Sequence, residues 1–67
     1  MTTYIASKFK AHMPLMKEAV EGTVDLRSNQ KIYKKIYKYY KDLGVRFTGD
    51  SHEDYETVLD CLYEDMN

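Results

Sequence analysis

The stretch Ser28-Asn29-Gln30-Lys31-Ile32-Tyr33-Lys34-Lys35-Ile36-Tyr37-Lys38-Tyr39-Tyr40-Lys41-Asp42-Leu43-Gly44 decides the fold. Ser28 or Asn29 can accept hydrogen bonds from the first free amides of a helix, and Gly44 can take the left-handed conformation that ends one. Between them, at about 100° per residue, Ile32, Ile36, Tyr39, Tyr40 and Leu43 fall on one arc. Lys31, Lys34, Lys35, Lys38 and Lys41 fall on the opposite arc, with Tyr33 and Tyr37 at the border. This is an amphipathic helix with a basic outer face.

Upstream, Ile5, Phe9, Met13, Met16 and Val20 recur at helical spacing, with Thr2 or Thr3 as the cap and Gly22 as the stop. Pro14 lacks an amide hydrogen and its ring clashes with the preceding turn, so a bend is expected near His12 to Pro14. Downstream, Asp50 or Ser51 opens a third helix, and Glu53 and Asp54 place negative charge at its positive end. Tyr55, Val58, Leu59, Leu62, Tyr63 and Met66 form its apolar stripe. The expected fold is mainly α: one small three-helix domain over residues 1–67, kinked at Pro14. The alternative is α+β. Residues 23–27 and 45–48 alternate apolar with polar, as two short strands of a ribbon would.

A chain of 67 residues hides only about 60% of the surface that its unfolded form exposes, so its stability is marginal. The usual reinforcements are scarce. Cys61 is the single cysteine, and with His12 and His52 it makes at most three ligands of the Cys and His type, too few for a structural zinc site. Association with a second copy or a partner is the reinforcement left, and no metal or cofactor is expected. One cysteine and no apolar leader in the first residues lead to the expectation of a cytoplasmic protein without a membrane span. At 43% hydrophobic and 31% charged residues, the chain is too apolar to stay disordered.

The net charge of -1 conceals a strong polarity along the chain. Residues 23–49 carry seven bases against two acids, whereas residues 50–67 carry seven acids and no base. Either the oppositely charged helices pair, within one molecule or between two, or one pole faces a charged partner.

No catalytic site emerges. Cys61 stands among acids, which disfavour a thiolate. His52-Glu53-x-x-Glu56 lacks the second histidine of the zinc protease motif and falls in a first helical turn, where acids are common. The glycines mark segment ends and form no phosphate-cradling loop.

The seven tyrosines are the feature that folding explains least. Tyr4, Tyr33 and Tyr37 have no evident core position, and tyrosine is enriched in protein interfaces. The expected function is therefore a non-catalytic protein-binding module, an adaptor or an inhibitor. Its candidate contacts are Tyr4, Tyr33, Tyr37, Lys34, Lys35 and Lys38 on one side and Glu56, Asp60 and Glu64 on the acidic helix. Size and lack of chemistry suggest a compact accessory protein of a phage or mobile element, directed at a host enzyme or defence. Two alternatives stand beside this reading. One is nucleic-acid binding through Lys31, Lys34, Lys35, Lys38 and Lys41. The other is a structural subunit of a homo-oligomer, such as a homodimer. The acidic helix also admits a reading as a nucleic-acid mimic.

Overall fold

The computed structural model describes residues 8–66. A 3-10 turn (Lys10–His12) leads into α1 (Met13–Glu21); a second (Leu26–Ser28) precedes α2 (Gln30–Asp42), and α3 (Ser51–Met66) follows. Helices dominate as expected, and there is no strand among the described residues.

The helix boundaries follow from local chemistry. His12, the last residue of the first 3-10 turn, has φ −110° and ψ 7°, outside the α-helical region, and Pro14 sits in the first turn of α1, where its missing amide hydrogen costs nothing. That is the expected bend. Thr2, Thr3, Tyr4 and Ile5 lie outside the described residues. At the other end of α1, Gly22 takes φ 88°. Its amide hydrogen bonds the Ala19 carbonyl and that of Thr23 bonds the Glu18 carbonyl, the paired closure of a Schellman turn. Gly44, at φ 101°, ends α2 in the same way, with Gly44 N–H on Lys41 and Val45 N–H on Tyr40. Asn29 Oδ1 accepts from Ile32 N–H at 3.4 Å to open α2, and Asp50 Oδ1 accepts from Glu53 N–H at 3.0 Å to open α3.

The ribbon alternative is corrected by what the two segments bond instead. Within 23–27, Asp25 accepts from the Arg27 amide and turns the chain into the 3-10 turn. The Leu26 amide donates to the Tyr55 hydroxyl at 2.8 Å. Within 45–48, the Thr48 amide is taken by Asp54 at 2.8 Å. With these donors committed to side chains, no ladder can form between the two segments.

Phe9, Met16, Ala19, Leu26, Ile36, Tyr40, Tyr55, Val58 and Leu62 make one buried cluster. α3 packs against α1 and α2, and α2 also rests on the Leu26–Ser28 turn. Two expectations about the stripes need correction. Leu43 lies on the apolar arc of α2 but just beyond its last turn, where no core element reaches it, and it is 62% exposed. Tyr63 is 59% exposed. At 100° per residue it stands about 140° from Val58, outside the arc that α3 buries.

Two acids occupy that buried arc and are satisfied within it. Asp54, 4% exposed, accepts from the Thr48 and Gly49 amides and from the Thr48 hydroxyl. Burial pushes its carboxyl up, but these donors together with the Tyr37 side chain outweigh burial and hold it below its ordinary value. Asp65 accepts from the Tyr40 hydroxyl at 2.6 Å. Burial first, then this bond, pushes the Tyr40 hydroxyl far up. Among the described residues no buried side-chain nitrogen or oxygen lacks a partner.

Candidate functional site: the tyrosine groove and the two charged faces

Tyr33 and Tyr37 lie one helical turn apart on the edge of α2 that faces α3, and they belong to a continuous row of rings. Tyr55 meets Tyr33 edge to face at 5.7 Å, Tyr33 and Tyr37 lie 6.1 Å apart, and Tyr37 stacks on Phe47 at 4.2 Å. Both tyrosines are half-buried against the core. They therefore have a packing role that the sequence did not reveal, with part of each ring left for contact. Burial, followed by the nearby Asp54 charge, pushes the Tyr33 hydroxyl up, so it stays a neutral donor.

At the upper end of the row, Arg27 lies over the Tyr55 ring at 4.3 Å. Its guanidinium bonds both carboxylate oxygens of Asp25, at 3.0 and 2.7 Å. The Arg27 side chain and amide hydrogen bonds hold the Asp25 carboxyl down at about 2. The Arg27 charge is thus fixed in place and largely compensated.

Arg27, Gln30, Tyr33, Lys34, Tyr37 and Ser51 line a groove of about 440 Å³. Arg27, Gln30 and Ser51 were not anticipated as site residues; Gln30 shares the helical face of Tyr33, Lys34 and Tyr37 and could have been read from its spacing, whereas only the tertiary fold brings Arg27, in the turn before α2, and Ser51, at the start of α3, to the same edge. On the other border of α2, a second groove of about 580 Å³ contains Lys35 and Lys38 with Phe9, His12, Tyr39 and Leu43. The candidate lysines therefore stand on a ridge between two grooves, Lys34 facing one and Lys35 and Lys38 the other.

The acidic candidates occupy a separate surface. Glu56 and Asp60 line a depression of about 340 Å³ with Val20, Leu59 and the exposed Tyr63. Glu64 is exposed one turn further along α3. Tyr4 lies outside the described residues.

The ion pairs decide how these charges are used. Among the described residues they are Arg27–Asp25 at 2.7 Å, Lys38–Asp42 at 3.2 Å and His52–Glu56 at 3.5 Å, each between close neighbours in sequence. None joins a lysine of α2 to an acid of α3. Of the two ways in which the charged helices could pair, pairing inside one molecule is not what this fold does. Lys31, Lys34, Lys35 and Lys41 have no ion-pair partner among the described residues.

The groups with chemical reactivity are placed otherwise. Cys61 is half-buried, and burial, followed by Asp65, Asp60 and Glu64, pushes its thiol up. Among the described residues no three His, Cys, Asp or Glu side chains stand together as metal ligands. No helix among them is long and apolar enough to cross a membrane.

Compared with models of known protein families, with curated proteins and with solved structures, the chain finds no match.

Proposed function

We propose that this protein is a non-catalytic binding module, an adaptor or inhibitor that acts by covering part of another protein's surface through the basic side of α2. The observation that carries this reading is the groove floored by Tyr33 and Tyr37 and edged by Lys34, beside a lysine ridge whose charges the fold leaves largely uncancelled. Half-buried tyrosines offer rigid apolar area with a polar tip, at little cost in side-chain entropy. Uncancelled lysines attract an acidic partner over about a Debye length and favour the correct orientation on approach. The complementary partner surface is acidic, with an aromatic or aliphatic side chain to seat on the tyrosines. A thiol held protonated fits a binding role better than a nucleophilic one. The compact size suits a phage or mobile-element accessory aimed at a host protein.

The experiment is a comparison of two immobilised proteins, the wild type and a Tyr37→Ala/Lys34→Glu variant, in lysate of the cells that carry the gene. A protein retained by the first and lost by the second supports the reading. Retention of the same proteins by both removes it.

One observation favours a second reading, nucleic-acid binding: four of the five lysines on the exposed ridge lack an ion-pair partner among the described residues. Against it, the one arginine of the groove is already held by Asp25 and Tyr55. This reading requires a labelled duplex to shift at low salt, and the shift to weaken steeply as salt rises. No shift at low salt ends it.

A further inference from the structure

The lysine ridge and its groove have a complement within the same chain. On the outer arc of α3, Glu53, Glu56, Asp60 and Glu64 are exposed, with Tyr63 among them. Only Glu56 of these four acids has an ion-pair partner among the described residues, and that partner is His52. Glu56 and Asp60 frame a depression with Val20, Leu59 and Tyr63. The α2 groove is an aromatic floor edged by cations. The two surfaces match in charge, and no ion pair among the described residues joins them within one molecule.

We propose that a second copy of this chain docks the acidic face of its α3 onto the lysine ridge and tyrosine groove of α2. The inference rests on the reading of α2 as a protein-docking surface and names its occupant. Charge complementarity carries it: residues 23–49 hold seven bases against two acids, residues 50–67 hold seven acids and no base, and no ion pair among the described residues links α2 to α3. Because the two faces belong to different helices, the contact either repeats head to tail, as an open chain or a ring, or is made twice across a two-fold axis, with the α3 of each copy on the α2 of the other.

Light scattering on the full chain over a range of concentrations tests this, at about 0.05 M and about 0.5 M salt, where the screening length falls from well above to well below 10 Å. The expected result is concentration-dependent association at low salt that weakens tenfold or more at high salt. Two variants sharpen it. Lys31→Glu/Lys34→Glu cancels most of the net charge of the basic face and keeps the acidic one; Asp60→Lys/Glu64→Lys does the reverse. Circular dichroism checks that each is folded. Each alone is expected to be a monomer, whereas their mixture forms a one-to-one pair and nothing larger. A wild type that stays monomeric at low salt overturns the proposal. So does an oligomer insensitive to salt, one that nuclease treatment dissolves, or a pair of variants that fail to combine. A monomer that still retains a lysate protein through Tyr37 and Lys34 leaves the protein-binding reading standing and removes only self-assembly.

Discussion

At the start of α3, Asp54 is buried and accepts three hydrogen bonds from Thr48 and Gly49, while its neighbour Tyr55 accepts one from the Leu26 amide. On the outer face of α2, Lys31, Lys34, Lys35 and Lys41 are exposed and have no ion-pair partner among the described residues. Both regions are densely polar, yet in the first the polar groups position loops and in the second they do nothing for the monomer. The difference is desolvation. A polar group removed from water must find a partner or the fold loses stability, whereas an exposed lysine remains hydrated at little cost. Charge that the fold does not use is charge available to another molecule.

The largest effect should come from the buried junction. Tyr55→Phe keeps the ring and removes only the hydroxyl, stranding the Leu26 amide where Leu26 is fully buried. The expected loss is about 1–3 kcal/mol in denaturant unfolding. A loss below a few tenths would mean that water replaces the hydroxyl and that the junction is looser than described.

Asp54→Asn sharpens the comparison through pH. The amide can still accept from Thr48, but its NH2 then faces the Gly49 amide, donor against donor. The native Asp54 carboxyl is held below the ordinary 3.8, so its contribution is present above that value and is lost as pH falls through the native one. The variant is expected to melt lower than wild type at neutral pH, with the gap closing in acid. Asp25, held at about 2, is lost over the same acid range in both proteins and so does not disturb the difference. A gap that stays unchanged throughout the acid range over which the native protein remains folded would show that packing, and not charge, sets the effect.

Least affected is the stability of the lysine face. Lys34→Glu and Lys35→Glu should each change unfolding free energy by no more than about 0.5 kcal/mol. In binding they should act strongly, abolishing retention of an acidic partner or copy. A substantial destabilisation by either would erase the contrast between the two regions, because the lysines would then be serving the monomer.

Much of the backbone was legible in the sequence because its signals are local. Gly22 and Gly44 end helices through bonds spanning five residues, Asn29 and Asp50 open them through bonds spanning three, and Pro14 sets the bend before α1. The core was legible where periodicity was strong, as at Met16, Ile36, Val58 and Leu62. Asp54 and Asp65 could have been noticed as acids on the buried arc of α3. Their partners, a loop before the helix and Tyr40 on another helix, could not.

The candidate site was legible only in part. Lys34, Tyr33 and Tyr37 do share a groove, with Gln30 one turn before them on the same helix, but Arg27 and Ser51 join them through the packing of α3 against α2 and its preceding turn. The sequence by itself determined three helices, the ends of α1 and α2, the openings of α2 and α3, and the separation of basic from acidic segments, since each depends on neighbours a few residues away. Tertiary structure decided which charges would be consumed. Whether a lysine meets an acid depends on which faces of two helices come within about 4 Å of each other, and here the apolar arcs took the inner surfaces and left the two charged arcs facing outward and apart.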